Sequence, residues 1–435
     1  MRRAFTLLAF ATLACAPPPP QPEATDAGEL ADAGTPIAHV MGFSGAANLP
    51  RDPAGANAFL SSMGYASPAA YDDDVIARLR ALSAPMARGH IFYVGNGQFA
   101  PEAIIARLEA EDMDVYGWVN PAPPVEALDA QFDDALTALV KAHPKIRVWQ
   151  LGNEPDLLWR TPSLFPAFFL RAQPLIRAAC PDCLIALGGI SNQYDSASTN
   201  AQTFEGFVST IAAGAHTGPA FDIFDFHYYK QAPSRDELAA ASSTYRAMLA
   251  RHGLAGVRFW CTETGLYTGD PAGPQFGPRT EEDQARDLPK LVSWMAAVGV
   301  ERVYNWTLID AVGAGGVPGV FDSMGLIQSS GTPGQAKKAY VTYGLLARAL
   351  TDVTGAREVA AGVVRFETRA GPAFVAWSEN GSTEATLSGL TGPRVTVQPL
   401  VPDAQGQTPA TAAEVVAGSV TISLEANPAL VTPAP

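Results

Sequence analysis

The chain has 435 residues, of which 47% are hydrophobic and 17% are charged, and its formal net charge is −14. This length and composition are typical of globular domains and exclude a chain that is disordered throughout. The negative charge would repel phosphate backbones, so we expect no nucleic acid among the partners. No run of about 18 apolar residues follows the N-terminal segment, so no membrane-spanning helix is predicted.

Residues 1–15 have the pattern of an export signal, because two arginines precede the apolar run AFTLLAFATLA. The pattern resembles a bacterial lipoprotein signal, in which cleavage leaves Cys15 to carry the lipid. Plain secretion is the alternative, since Thr12 and Leu13 depart from the usual lipoprotein box. Residues 16–36 are rich in Pro, Ala, Gly and acids and predict a flexible tether. We therefore expect an exported protein, which is either secreted or held at the cell envelope only through a lipid on Cys15.

The remaining cysteines leave two readings open. Cys180 and Cys183 are separated by Pro-Asp and could close a small disulfide in an oxidising compartment, or remain two thiols at a helix-to-strand turn. Zinc would require more ligands, because Cys261 alone supplies a third thiol. No metal and no cofactor is therefore predicted.

From residue 37 onward, short apolar runs alternate with amphipathic stretches of helical period such as PEAIIARLEAED. Most of the runs are continuously apolar, as parallel strands covered on both faces are. The alternation predicts a (β/α)8 barrel over residues 37–354. An open doubly wound sheet is the alternative, but no Gly-rich phosphate-binding motif follows the first run. The eight predicted strands are residues 37–43, 86–94, 113–119, 146–152, 183–190, 221–229, 257–264 and 300–309.

The pattern changes after about residue 355. The runs VVRFETR, AFVAWSE, RVTVQPLV and SVTISLEA alternate apolar and polar residues and are separated by turn residues. Residues 355–433 are therefore predicted to form a small antiparallel β-sandwich packed on the barrel. Packing support, carbohydrate binding and spacing are all open roles for it.

Polar residues stand where the predicted strands end, which is the edge of a barrel that carries chemistry. The fourth strand ends in Asn153 and Glu154, and the seventh carries Glu263. These two carboxylates can face one substrate across the barrel mouth. Cleavage of a glycosidic bond needs such a pair, because one acid protonates the departing oxygen while the other carboxylate meets the positive charge developing on the sugar.

The motifs GNEP and TETG, three β/α units apart, resemble the retaining glycoside hydrolases of clan A, which include cellulase-like, β-xylosidase-like and iduronidase-like enzymes. The resemblance spans residues 37 to about 350. It implies that Glu154 is the acid/base, that Asn153 holds the sugar 2-hydroxyl, and that Glu263 is the nucleophile.

The same resemblance implies further site residues. His227 and Tyr229 fit a His-x-Tyr pattern on the sixth strand, where the tyrosine hydroxyl bonds the nucleophile. Trp306 on the eighth strand resembles the aromatic floor beneath the sugar. Arg88 on the second strand resembles an arginine that keeps the nucleophile ionised.

These features predict a monomeric retaining glycoside hydrolase whose partner is a β-linked poly- or oligosaccharide. Its two carboxyl groups should lie roughly 5–5.5 Å apart. A transglycosylase that uses the same residues is one alternative, and a surface carbohydrate-binding protein without activity is another. Among other aromatic residues, Trp118, Trp159 and Tyr267 could line sugar subsites or belong to the core. Trp149 and Trp260 are expected in the core.

Overall fold

The computed structural model describes residues 37–45, 53–121, 128–159, 161, 163–191, 199–215, 219–271, 276–310, 319–329 and 333–434. The predicted signal segment 1–15 with Cys15 and the predicted tether 16–36 lie outside the described residues. Within the described part of the chain, no helix combines the length and the apolar character that a membrane crossing requires.

The described strands, in chain order, are β1 (Ile37–His39), β2 (Met41–Ser44), β3 (Met86–Gly95), β4 (Gln98–Pro101), β5 (Asp114–Pro121), β6 (Val148–Leu151), β7 (Leu184–Leu187), β8 (Ile223–Tyr228), β9 (Arg258–Thr264), β10 (Arg302–Trp306), β11 (Thr351–Ala360), β12 (Val363–Thr368), β13 (Gly371–Ala376), β14 (Thr383–Ser388), β15 (Arg394–Pro399), β16 (Thr411–Glu414), β17 (Ser419–Leu424) and β18 (Ala429–Pro433). The described helices are α1 (Pro53–Ser62), α2 (Pro68–Ala81), α3 (Ala103–Ala110), α4 (Phe132–Ala142), α5 (Leu164–Ala179), α6 (Thr199–Gly214), α7 (Arg235–Arg251), α8 (Glu281–Ala297) and α9 (Lys338–Ala349). A short 3-10 helix covers Phe321–Ser323.

Eight parallel strands form a closed barrel in the order β2, β3, β5, β6, β7, β8, β9 and β10, and β10 pairs with β2 to close it. Local sequence signals fix several of the surrounding helices. Ser67 caps α2 by accepting a hydrogen bond from the backbone of Ala70, and Pro68 occupies its first turn. Thr280 and Asp283 form a reciprocal capping box at the start of α8.

The barrel interior is layered, because alternate residues of each strand point inward. The lower layer is apolar and aromatic and consists of Met86, Tyr116, Val148, Ala186, Ile223, Trp260 and Tyr304. Two residues further along their strands lie the buried polar side chains Ser44, Arg88, Gln150, Asp225 and Thr262. This polar layer supports the mouth of the barrel, where the strands end.

The C-terminal strands form an antiparallel sandwich against the barrel helices. A seven-stranded sheet has the order β1-β11-β12-β13-β18-β15-β16, and the pair β14–β17 faces it across a second small core. The expected (β/α)8 barrel with a C-terminal antiparallel β-sandwich domain is thus confirmed.

Three local features differ from the expected elements or complete them. β1 pairs antiparallel with β11, so Ile37–His39 belongs to the C-terminal sheet, while the barrel starts at Met41. β11 begins at Thr351, so the boundary expected at 354/355 falls inside this strand. Of the two readings of the CxxC segment, the disulfide is the one present: Cys180 and Cys183 are bonded, with their Cα atoms 5.4 Å apart.

Candidate active site

Glu154 lies in a tight turn directly after β6. Gly152 there has a φ of +85°, and Glu154 itself has a φ of +39°, a left-handed conformation that is uncommon for a residue with a side chain. The turn is held by a bond from the Glu154 backbone N–H to the carbonyl of Gly189, at 3.1 Å. The carbonyl of Glu154 accepts the backbone N–H of Leu158 at 2.7 Å. The backbone of this turn thereby fixes the position from which the Glu154 side chain projects.

Glu263 projects from β9 and is only 8% exposed. The Arg88 guanidinium donates from Nη1 to its Oε1, and the Tyr229 hydroxyl donates to its Oε2 at 2.9 Å. Burial alone would raise the pKa of Glu263, but the positive charges of His227 and Arg88, together with these hydrogen bonds, hold that pKa below its usual value. The side chain is therefore kept as a carboxylate.

Arg88 is fully buried and connects four strands or strand ends. Besides Glu263, it donates to Ser44 Oγ at 3.0 Å, Gln150 Oε1 at 2.8 Å and Asn153 Oδ1 at 2.6 Å. Its guanidinium also lies over the ring of Trp118, 4.3 Å from the centroid. Each acceptor of the cluster is thus oriented by one planar cation.

His227 lies between the two glutamates. Its Nδ1 is 2.8 Å from Oε1 of Glu154 and 3.5 Å from Oε2 of Glu263, and its side chain is fully buried. Burial alone would lower the pKa of His227, but the carboxylates of Glu263 and Glu154 outweigh it and raise the pKa to about 9. We therefore treat His227 as an imidazolium at neutral pH.

The two glutamates converge closely. One oxygen of Glu154, one oxygen of Glu263 and one ring nitrogen of His227 all lie within 4.8 Å of one another. Three such ligand atoms could also hold a divalent ion. In the structure, however, Nδ1 of His227 is hydrogen-bonded to Glu154 and forms an ion pair with Glu263.

An aromatic wall borders one side of the site. Tyr229 and Trp306 pack with Phe321 against a small buried cluster that includes Met324. The rings of Tyr229 and Phe321 meet edge to face with their centroids 5.0 Å apart. Trp306 is partly exposed, and its ring fills the space beside Gly45, where a Cβ would come within 2.9 Å of it.

The other aromatic candidates divide between core and site. Trp159 is buried against Phe165 and Phe168, and Tyr267 is fully buried with its hydroxyl donating to the carbonyl of Gly277. Neither lines the site. Trp118 contacts Arg88 and His90, so it lies beside the site on the side of β3 and β5. Trp149 and Trp260 are completely buried, as expected of core residues.

The structure brings all seven expected site residues to the barrel mouth, and it adds buried polar partners outside that set. Gln150 and Ser44 accept hydrogen bonds from Arg88. Asp225 accepts two hydrogen bonds from Thr262, at 3.0 Å from its backbone N–H and at 2.6 Å from its hydroxyl. The available signal was that Gln150 and Asp225 interrupt apolar runs on the inward-facing side of their strands.

No family model and no curated protein sequence matches this chain. Solved structures do share its fold. One is a family 39 glycoside hydrolase from the gut symbiont Bacteroides cellulosilyticus WH2, with a TM-score of 0.62 and 15% identity, covering 93% of this chain and 82% of that chain. Another is a glucosidase from Croceicoccus marinus, with a TM-score of 0.62 and 14% identity, covering 92% and 97% of the two chains.

A third similar structure is a family 30 subfamily 8 xylanase from Clostridium acetobutylicum, with a TM-score of 0.56 and 12% identity, covering 91% of this chain and 96% of that one. Coverage above 90% of this chain in all three cases means that barrel and sandwich are matched together. At such low identities the similarity concerns architecture. The chain therefore has the same fold as these three proteins, a (β/α)8 barrel with an attached antiparallel β-sandwich.

Proposed function

We propose that this protein is a retaining glycoside hydrolase that cleaves β-linked poly- or oligosaccharides, with Glu154 as acid/base and Glu263 as nucleophile. The observation that carries the proposal is the approach of these two carboxylates to within 4.8 Å at the mouth of the barrel. This approach is informative because the two glutamates are far apart in the sequence and lie at the ends of two different barrel strands.

The separation favours retention over inversion. Retaining enzymes hold their carboxyl groups roughly 5–5.5 Å apart, whereas inverting enzymes need roughly 6.5–9.5 Å to admit a water between the basic carboxylate and the sugar. The approach of the two carboxylates to within 4.8 Å is closer than the separation that inverting enzymes need. Direct attack by one carboxylate on the anomeric carbon is the chemistry that fits.

The roles follow from the surroundings of each carboxylate. Glu263 is kept ionised by Arg88, His227 and Tyr229, as a nucleophile must be. It attacks the anomeric carbon while Glu154 gives its proton to the departing glycosidic oxygen. A water then loses a proton to Glu154 and attacks the same carbon, which breaks the sugar–Glu263 ester and restores both residues.

The remaining site residues have supporting roles in this proposal. Asn153 adjoins Glu154, and its Oδ1 is fixed by Arg88, so its amide group is oriented for a sugar 2-hydroxyl. Trp306, partly exposed on β10, supplies an apolar floor for the sugar ring. Tyr229 holds Glu263 in place through its hydroxyl.

The test uses a panel of aryl β-glycosides with the wild-type protein and two alanine variants. The panel begins with glucosides and xylosides, because a glucosidase and a xylanase are among the proteins of similar fold. NMR of the first product should show the β-anomer. Glu154→Ala with added azide should yield the β-glycosyl azide, and Glu263→Ala with azide should yield the α-glycosyl azide. An α-anomer as the first wild-type product would contradict retention.

One control variant and two alternative outcomes complete the test. A matched control, Glu111→Ala, changes a surface glutamate that directly follows α3 and pairs with Arg80, and it should leave turnover unchanged. If products form mainly with an added sugar acceptor, the protein is a transglycosylase. If the wild type cleaves nothing on the panel while it and Glu263→Ala bind a saccharide equally well, it is a carbohydrate-binding protein.

A further inference from the structure

A buried aspartate that the proposed mechanism does not use lies directly behind His227. Asp225 and His227 both point inward from β8, and neither side chain is exposed. Oδ2 of Asp225 lies 3.9 Å from Nε2 of His227, on the opposite side of the imidazole from Glu154. This Nε2 has no hydrogen-bond partner among the described residues. The imidazole thus stands between a carboxylate behind it and two in front of it.

The position of Asp225 is fixed from two sides. Thr262, which precedes Glu263 on β9, donates to both oxygens of Asp225 through its backbone N–H and its hydroxyl. Gly189 packs on the other side, where a Cβ would lie 2.6 Å from His227 Nε2 and 2.7 Å from Asp225 Oδ2. The carbonyl of Gly189 also accepts the backbone N–H of Glu154. One close packing arrangement therefore sets the relative positions of all three side chains.

We propose that Asp225 is a positioning residue that keeps His227 as an imidazolium directed at Glu154, so that the buried charge cluster stays neutral through both halves of the reaction. The catalytic part of this proposal rests on the proposed function. The pairing of Asp225 with His227 does not, and it can be measured on its own.

The charge count supports this role. The charged groups around His227 are Glu154, Glu263 and Asp225 as acids and Arg88 as a cation. Before the reaction, with Glu154 protonated, the carboxylates of Glu263 and Asp225 balance Arg88 and the imidazolium. In the glycosyl-enzyme, Glu263 is a neutral ester and Glu154 has given up its proton, so two carboxylates again balance two cations. Without Asp225, an imidazolium would leave one uncompensated positive charge in both states, which is costly in a buried site.

The pKa values of Asp225 and His227 define the pH range in which both side chains are charged. Burial raises the pKa of Asp225 to about 6, although His227 and Arg88 oppose the shift, while that of His227 stands at about 9. Asp225 is thus ionised and His227 protonated between these two values. The other titratable groups facing them are Tyr116, Tyr229 and Cys261, whose pKa values burial raises well above their usual range, so they stay neutral there.

The experiment is a ¹⁵N NMR titration of His227 in the wild type and in Asp225→Asn. The signal is assigned among the six histidines by its loss in His227→Gln. Removal of a carboxylate about 4 Å away should lower the midpoint of His227 by roughly one to three pH units. Thr137→Val serves as the control, because it removes a hydroxyl hydrogen bond on α4 that has no part in the Asp225–His227 arrangement, so its midpoint should stay near that of the wild type.

A midpoint in Asp225→Asn within about 0.3 pH unit of the wild type overturns the proposal. If this variant does not fold, the wild type decides alone: an imidazole that is neutral at pH 7 also overturns it, and one that is charged there supports it. The kinetic readout is the dependence on the leaving group. Asp225→Asn should lose more kcat on substrates with poor leaving groups, which need the proton from Glu154, than on dinitrophenyl glycosides.

An equal loss of kcat on both substrate types would mark a merely structural role and contradict the positioning role. If the wild type cleaves no glycoside, the proposed function fails, but the titration still tests the Asp225–His227 pairing by itself.

Discussion

At the scale of single residues, Arg88 has two roles: it contacts the proposed catalytic residues and it connects several strands of the barrel. Its guanidinium bonds side chains from β2, from β6, from the turn after β6 and from β9. Because Ser44 and Gln150 are completely buried as well, no water can replace the guanidinium as their donor. The residue that keeps Glu263 ionised is thus also part of the folded core.

Arg88→Met should therefore lose stability together with activity. It leaves the Glu263 carboxylate buried without one of its two cations and two amide oxygens without their donor, at a cost of about 3–5 kcal/mol in the free energy of unfolding. Urea denaturation followed by tryptophan fluorescence measures this. Arg80→Met is the control, since Arg80 is exposed and pairs with Glu111 at the surface, and it should change little. An Arg88→Met protein as stable as the wild type would contradict the role described.

The sequence was sufficient to identify the residues at the strand ends. Glu154 and Glu263 follow apolar runs, where a charged side chain has few reasons to stand, and the resemblance supplied their roles. Asp225 and Gln150 could not be assigned in the same way. A polar residue within an apolar run shows only that the strand has an inward side, and its partners depend on the register between strands.

At the scale of elements, the segment after β10 is fixed by one buried ion pair. Nζ of Lys337, the residue before α9, donates to Asp310 Oδ1 at 2.7 Å, to Thr268 Oγ1 at 3.0 Å and to the carbonyl of Ser323 at 3.0 Å. Burial raises the pKa of Asp310 to about 6 and lowers that of Lys337. The pair thus holds the 3-10 helix that carries Phe321 against Tyr229.

Removing one member of this pair should be worse than removing both. Lys337→Met leaves a buried carboxylate uncompensated and should destabilise the fold by about 3–5 kcal/mol, whereas the Lys337→Met/Asp310→Asn double variant should recover most of the loss. Thermal and urea unfolding of the four proteins in the cycle give the coupling. Equal stability of the single and double variants would mean that the charge of Asp310 is compensated elsewhere.

Two elements were missed from sequence for different physical reasons. The hairpin β3–β4 turns at Asn96-Gly97, and both residues have a positive φ. An Asn-Gly pair predicts a hairpin turn of this kind, so the sequence does contain a signal for β4. β1 had no such signal. Ile37–His39 continues almost directly into the first barrel strand, and only a partner more than 300 residues away shows that it belongs to another sheet.

At the scale of the whole molecule, barrel and sandwich share one hydrophobic core. Val364, Phe366 and Val375 of the sheet belong to the same buried cluster as the barrel helices. Trp294 of α8 meets Trp377 edge to face at 5.1 Å. Polar contacts reinforce the contact surface, including the bond from Thr342 of α9 to the carbonyl of Leu400 at 2.6 Å. This packing fits a supporting role for the sandwich.

A chain that ends at Leu350 should therefore fail to give a stable barrel, because the outer faces of α8 and α9 would lose their apolar cover. Soluble yield and differential scanning calorimetry of this truncation against the full chain provide the measurement. The full chain should unfold in a single transition, since one buried apolar cluster continues from the barrel helices into the seven-stranded sheet. A soluble truncated barrel that melts at the same temperature would show that the two parts are independent.

The pairing of β1 with β11 also has a consequence for synthesis on the ribosome. The edge strand of the C-terminal sheet is made first, and its partner Thr351–Val353 emerges only after the entire barrel. At about 5–20 residues per second, β1 waits roughly 15–60 s without its neighbour. Completion of this sheet is therefore a late step in folding during synthesis. Nascent chains stalled before residue 351 would still present β1 as an unpaired strand.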